Sequence, residues 1–482
     1  MRILTTSITS LFLFLRVYNS HTRFIRFNLS LTGISNSLNK ANNSINVSFP
    51  AFNQKVARIV YICVINKIDM STFAPFARPL YVMLKPIGSR CNLDCDYCYY
   101  LEKANLYPNK NQVMSEELLE RFIQQYIESQ TMPQVMFTWH GGETLMRPVS
   151  FYQKALEFQQ KYAGGRLIDN SIQTNGTLLT DEWCSFFKKN NFLVGISIDG
   201  PQDFHDAYRR DKMGRPSFHR VMKGIELLKK HGVEFNCMAV VNDYNADYPL
   251  EFYRFFKEIG CQYIQFTPIV ERLRKNNPSL KLASAGDVDQ EVELAPFSVS
   301  AEKWGSFLCT LFDEWIREDV GKIFIQLFDA TLANWMGEQP GVCTMAKTCG
   351  HAGVMEFNGD VYSCDHYVFP EYRLGNIYSK TLTSMMYSEA QYQFGNDKFD
   401  TLPQQCRECD VLFACYGECP KNRFISDKYG NKGLNYLCKG YYQLFHHVMP
   451  YMDFMKQELL AQRPPANVMD WARLRKQNHS RK

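Results

Sequence analysis

From residue 70 onward the chain alternates short apolar runs with longer segments whose apolar positions recur at helical spacing. This alternation predicts repeated strand and helix units with a parallel sheet, because each helix needs a sheet face on which to bury its apolar stripe. The runs place strands at Tyr81 to Leu84, Val135 to Trp139, Ser171 to Gln173, Val194 to Ile198, Phe235 to Val241 and Tyr263 to Phe266. Helices are expected at Glu116 to Ser129, Ser150 to Tyr162, Asp181 to Asn190, Phe218 to His231 and Pro249 to Ile259, several of them after a Ser, Thr or Asp able to cap. Six such units predict an α/β fold with an incomplete barrel, whose ligands belong at the carboxyl ends of the strands. Residues 271 to 297, with Asn276-Asn-Pro278 and Ala283-Ser-Ala-Gly286, read as an excursion before a helix at Ala301 to Glu318. A cysteine-rich module then runs from Cys343 to Cys438, and an aromatic, Met-rich helical tail follows.

A chain of 482 residues with 45% apolar content has room for a large core and two or more domains. The expected divisions are an extension at 1–69, a core at 78–300, connecting helices at 301–340, the cysteine module at 341–445, and a helix and tail at 446–482. Charge separates the first of these from the rest. Residues 1 to 68 hold eight Lys and Arg and no acid, which leaves 46 basic against 49 acidic residues, about −3, for the remainder. That balance argues against nucleic acid as a partner. The run Leu11 to Leu15 is too short to span a bilayer and lacks a small-residue cleavage site, so no membrane partner is expected. The basic segment superficially matches a transit peptide, yet Met70 is the expected start, with residues 1–69 a disordered or non-native extension. Sixteen cysteines in a long chain with C-x-x-C spacings point to metal and a reducing, cytoplasmic compartment.

The predicted strand ends carry the chemistry. Cys91-Asn-Leu-Asp-Cys95-Asp-Tyr-Cys98 follows the first strand, His140-Gly-Gly-Glu143 the second, Thr174-Asn-Gly176 the third and Asp199-Gly-Pro201 the fourth. Three close thiolates can hold three corners of a four-iron cluster and leave one iron open to a small molecule. A zinc site is the structural alternative, but zinc normally takes four ligands, often as paired C-x-x-C units. The spacing resembles the radical S-adenosylmethionine (SAM) superfamily. That resemblance implies that SAM chelates the open iron, and that one electron splits its sulfonium to give a 5'-deoxyadenosyl radical that abstracts hydrogen.

Eight further cysteines, Cys343, Cys349, Cys364, Cys406, Cys409, Cys415, Cys419 and Cys438, can close two sites of four ligands. Thiolate chemistry alone does not separate zinc from iron and sulfide there. The order Cys406-x-x-Cys409, Cys415, Cys419-Pro420, Cys438 resembles the SPASM extension of radical SAM enzymes, which holds two auxiliary four-iron clusters. Cys63, Cys184, Cys237, Cys261 and Cys309 read as core residues or bystanders. Across residues 79 to 450 the chain resembles the anaerobic sulfatase-maturating enzymes. The match lies in Gln173-Thr-Asn-Gly176, Gly195-Ile-Ser-Ile-Asp-Gly-Pro201, His205, Arg209, Gln265-Phe266, Tyr362-Ser-Cys-Asp365, Leu374-Gly-Asn376 and Leu434-Asn-Tyr-Leu-Cys438.

This resemblance implies a partial (β/α)6 TIM-like radical SAM barrel with a C-terminal SPASM domain, three [4Fe-4S] clusters and SAM. It implies oxidation of a Cys or Ser in an unfolded sulfatase segment to Cα-formylglycine, with a flavodoxin- or ferredoxin-type electron donor. Cys343, Cys349, Cys364 and Cys419 would hold one auxiliary cluster, and Cys406, Cys409, Cys415 and Cys438 the other. Tyr100 is expected at the adenine, Gly142 and Glu143 at the methionine amino group, Ser197 and Arg209 among the SAM ligands, and Val270 as an apolar adenine contact. Asp365 matches the family's proton acceptor. Two departures stand out: His140 replaces a usual Gln and Thr144 a common Pro. Both are expected at the reaction cavity, with the protonation of His140 varying near neutral pH. The rival readings are another SPASM peptide-modifying enzyme, such as a thioether-forming maturase, and a non-catalytic iron–sulfur electron carrier. SAM cleavage separates the carrier from the enzymes.

Overall fold

A computed structural model describes residues 80–107, 113–275, 282–283 and 292–479. The N-terminal extension, its expected start at Met70, and the segments Asn276 to Pro278 and Ser284 to Gly286 lie outside the described residues. Six parallel strands in chain order form the centre: β1 (Tyr81–Leu84), β2 (Gln134–Trp139), β3 (Leu167–Thr174), β4 (Leu193–Ser197), β5 (Phe235–Val241) and β6 (Tyr263–Pro268). The helices are α1 (Glu116–Glu128), α2 (Val149–Tyr162), α3 (Asp181–Lys189), α4 (Gln202–Tyr208), α5 (Phe218–His231) and α6 (Pro249–Glu258). Ser115 caps α1 by accepting from Leu118 N, and Thr180 caps α3 by accepting from Trp183 N. Helix α4, which sequence periodicity did not mark, is a seven-residue turn of chain after Pro201.

The two faces of the sheet differ. Along β2, Val135, Phe137 and Trp139 are buried, with Phe137 packed on Phe122 and Tyr126 of α1, and Trp139 on Phe151 and Tyr152 of α2. The alternate positions form a polar row on the inner face. Tyr81 OH donates to Thr138 Oγ1 at 2.7 Å, Thr138 and Ser171 hydroxyls are 2.9 Å apart, and Gln173 Nε2 donates to Ser197 Oγ at 2.9 Å. A small number of polar groups placed in this way can orient a bound ligand.

The sheet does not stop at six strands, as the sequence pattern predicted. The excursion after β6 has paired feet, β7 (Arg272–Arg274) and β8 (Val292–Leu294). After α7 (Ala301–Glu318), β9 (Phe324–Ile325) adds in parallel beside β6 and leads into α8 (Gln326–Met336). The cysteine module then returns to the opposite edge. There β10 (Ala352–Met355) pairs in parallel with β1, and β11 (Asp360–Tyr362) and β12 (Arg373–Asn376) follow as antiparallel neighbours, giving ten strands. These added strands are two to four residues long, too short to show a period in the sequence.

Helix α9 (Cys438–Leu460) locks the module against α7. A Cβ at Gly440 would lie 2.3 Å from the Ala301 carbonyl oxygen, and one at Gly305 2.8 Å from Gly440 Cα, so the helices cross where neither has a side chain. Residues 80–479 accordingly belong to one compact unit. Among the described residues no helix is long and apolar enough to cross a membrane.

Candidate active site

The chain leaving β1 is held by the chain leaving β2. Gly142 N donates to Gly88 O and Glu143 N to Arg90 O, both at 2.8 Å. The approach is so close that a Cβ at Gly142 would sit 2.0 Å from the Arg90 carbonyl oxygen. The buried Glu143 carboxylate staples the next loops together by accepting from Leu145 N (2.9 Å), Thr174 Oγ1 (2.6 Å) and Asn175 N (2.8 Å). Asn175 Nδ2 in turn reaches Cys91 Sγ at 3.7 Å. The loop is closed on its far side by Asp94 N to Arg210 O and Asp96 N to Tyr208 O. Three neighbouring segments thus shape the one carrying Cys91, Cys95 and Cys98.

The three thiols are neighbours. Burial pushes Cys91 up to about 12, with Glu143 and Cys98 adding to it, and burial likewise raises Cys95 and Cys98. A buried group of thiols suits thiolate only when a cationic centre compensates, so the residues fit an iron–sulfur cluster. The other eight fall into two groups. Besides burial, Cys349 is raised by Cys343, Cys364 by Cys343 and Cys419, and Cys419 by Cys349 and Cys343. Cys406 is raised by Cys409, Cys415 by Cys438 and Cys406, and Cys438 by Cys406 and Cys409. These influences run among Cys343, Cys349, Cys364 and Cys419 and, separately, among Cys406, Cys409, Cys415 and Cys438.

Tyr416, Gly417 and Glu418 all have positive φ (46°, 69° and 51°), so the chain reverses between Cys415 and Cys419. That reversal lets cysteines four residues apart serve different groups. Buried Arg423 holds the turn by donating to the carbonyls of Tyr416, Gly417, Glu418 and Lys398.

The expected SAM contacts are distributed unevenly. Ser197 is on the polar inner face, and Val270 is buried with its carbonyl accepting from Lys421 Nζ at 3.1 Å. Arg209 is already engaged: its Nε and Nη2 form a fork on Asp199 at 2.8 and 3.0 Å, and Tyr97 OH donates to the same carboxylate. Only Nη1 and the second Nη2 hydrogen remain for a further carboxylate. Tyr100 is buried, with Lys85 Nζ 3.8 Å from its ring centroid and its hydroxyl donating to Glu356. Its interactions are with the strand-β10 side of the site rather than with Ser197 and Arg209.

Asp365 sits where barrel and module meet. Lys85 Nζ lies 2.5 Å from Oδ1, an ion pair without hydrogen-bond alignment, and Tyr99 OH donates to Oδ2. Burial acts to raise the carboxyl pKa, but Lys85, His140 and His366 outweigh it and hold it well below the usual range. Sequence reasoning missed Lys85, Tyr99, His366 and Glu356. A lysine directly after an apolar strand was the available signal for the first, since Lys85 is fully buried. Both departures from the family pattern behave otherwise than expected. Burial, then Lys85, push His140 down to about 4, so it is neutral at neutral pH. Thr144 is fully buried and spends its hydroxyl on Gln173 O at 2.7 Å, which bonds the loop after β2 to β3 and removes the side chain from the cavity.

Known proteins bear on this arrangement. Residues 86–256 match the radical SAM superfamily and residues 349–410 match an iron–sulfur cluster-binding domain. The chain is 72% identical over 400 residues to the serine-type anaerobic sulfatase-maturating enzyme of Bacteroides thetaiotaomicron, covering 83% of this chain and 96% of that protein. It is 32% identical over 383 residues to the cysteine-type enzyme of Clostridium perfringens, covering 77% and 97%. The structure described as native anSMEcpe with bound AdoMet and Cp18Cys peptide superposes with a TM-score of 0.69 at 30% identity, over 79% of this chain and 99% of that one. Fold and site together define a radical SAM enzyme with an added iron–sulfur module, whose cofactors are SAM and [4Fe-4S] clusters. The chain belongs to the anaerobic sulfatase-maturating enzymes.

Proposed function

We propose that this enzyme oxidises a serine in an unfolded sulfatase segment to Cα-formylglycine. The observation that carries the reading is the place of Asp365. It directly follows Cys364 of one thiol group and accepts from Tyr99, which directly follows Cys98 of another. A substrate between those loops would meet the base beside two cluster sites. Cys91, Cys95 and Cys98 would hold the cluster that binds SAM, and Cys343, Cys349, Cys364, Cys419 and Cys406, Cys409, Cys415, Cys438 the other two. When bound, SAM and its cluster supply a radical able to take one hydrogen atom from the serine Cβ.

The aldehyde then requires loss of the hydroxyl proton and one electron. Asp365, kept ionised by Lys85, accepts the proton. The adjacent Cys364 group offers the nearest place for the electron. Gly142, Glu143, Ser197, Arg209 and Val270 would shape and support the SAM side of the site, with Tyr100 reaching it from the strand-β10 side. Serine is favoured because the 72% identical relative is serine-type. A flavodoxin- or ferredoxin-type donor in a cytoplasmic setting suits the oxygen-sensitive clusters. The test is mass spectrometry of a peptide bearing Ser-x-Pro/Ala-x-Arg after anaerobic incubation with SAM and reductant. Loss of two hydrogens at the serine is expected, and SAM cleavage with an unmodified peptide would overturn the reading.

A further inference from the structure

His140 ends the β2 run at the rim of the barrel, beside the proposed base. Its Nδ1 accepts from Gly141 N–H at 2.8 Å and lies 3.4 Å from Lys85 Nζ. A ring nitrogen that accepts a backbone N–H carries no proton, so the ring is the tautomer protonated on Nε2. Its lowered pKa keeps it so at neutral pH. Nε2 has no protein partner, yet it is not among the sealed, unpartnered atoms that include His366 Nδ1, and the side chain is only half-buried. A neutral donor therefore opens beside Asp365, with Lys85 touching both residues.

Resting on the reading that a serine is oxidised next to Asp365, we propose that His140 is a specificity-determining positioning residue whose Nε2–H donates to the substrate hydroxyl oxygen. That bond turns the hydroxyl hydrogen toward Asp365. A hydroxyl oxygen accepts such a bond well and a thiol sulfur only weakly, so the donor favours serine over cysteine.

Two variants isolate the donor. His140→Asn keeps a side-chain oxygen near the position from which Nδ1 accepts Gly141 N–H but has nothing at the Nε2 position, which His140→Gln reaches with an amide N–H. Both should be compared with wild type as full-length protein, reconstituted with iron and sulfide, in competition between peptides that differ only in Ser or Cys. Affinities for the Ser peptide and its Ala counterpart give a readout independent of turnover. For His140→Asn, kcat/KM on Ser should fall roughly tenfold while that on Cys changes little, and the Ser-over-Ala affinity difference should vanish. His140→Gln should restore the preference. An unchanged Ser-to-Cys ratio would overturn the proposal. Equal losses on both peptides with a raised KM for SAM would overturn it too, and would assign the donor to SAM. A wild-type enzyme that oxidises neither peptide would instead sink the parent reading and this one with it.

Discussion

Replacing Lys85 by Met separates an ion pair from mere proximity, because Met keeps most of the stem and removes only the charge. Lys85 has no exposed side-chain surface and Asp365 is 15% exposed, with 2.5 Å between Nζ and Oδ1. Removing one partner of such a pair strands the other and costs about 3–5 kcal/mol. Asp365→Asn alone leaves the ammonium with Glu356, His140 and the Tyr100 ring near it, and should cost an amount toward the lower end of that range. The double variant strands neither charge, so its loss should fall short of the summed single losses by at least about 2 kcal/mol. In Lys85→Met, the burial that already acts to raise the Asp365 pKa would also lose its strongest opponent, and the carboxyl would move up. The assay is anaerobic urea unfolding of the four proteins at equal iron loading, with the Asp365 carboxyl followed by infrared difference spectroscopy. Additive losses within about 0.5 kcal/mol would refute the coupling, and with it the claim that Lys85 keeps the base ionised.

Replacing Cys91, Cys95 and Cys98 together by Ala should remove roughly four of about twelve irons and all SAM cleavage, as read by iron analysis and chromatography of 5'-deoxyadenosine. Retained cleavage would place the SAM-binding cluster elsewhere. Asp365→Asn should keep its iron and cleave SAM yet form no aldehyde, since an amide cannot take the proton; normal peptide oxidation would assign the base to another group. His205 is buried against Ser217, and burial, then Arg209, lower its pKa to about 3. The unfolded chain binds that proton near ~6.5, so this stability contribution is complete above ~6.5 and is lost as pH falls toward 3, by about 1.4 kcal/mol per pH unit. His205→Gln should flatten the pH dependence of unfolding free energy by that slope between about pH 6 and pH 4. An unchanged slope would show that His205 is not held neutral.

How much of this was legible depended on the length of the signal. Strand β5 and helices α5 and α7 match their predicted bounds because each spans enough residues for its period to show. Spacing marked the cysteine-rich segments, but the division of the later eight into two sets came only from the resemblance, since spacing alone does not say which loops fold together. Strands β9 to β12 were not legible, being too short to carry a period. Thr144 and Arg209 show a different limit. Their residue types promised cavity chemistry, but the partners that occupy them, Gln173 O and Asp199, become neighbours only through folding.

The short strands matter most to the site. Because β10 pairs in register with β1, Leu84 stands opposite Met355 and Lys85 N donates to Met355 O. The hairpin that follows returns the chain past β10, so residues just beyond Tyr362 reach the polar inner face, where Asp365 meets Lys85 and Tyr99. Asp365, the proposed base, is therefore positioned by backbone pairing between residues more than 260 apart in sequence, and not by the neighbouring cysteines alone. Helix α9 closes the same arrangement from the other side, since its first residue is Cys438 and its close crossing at Gly440 anchors it to α7. The iron–sulfur module thus completes the barrel edge as well as carrying thiols. In this fold, Asp365 and the module's thiols arrive at the radical SAM loop as one covalent unit, which suits the proposed reaction, in which a proton and an electron must leave the same carbon–oxygen group.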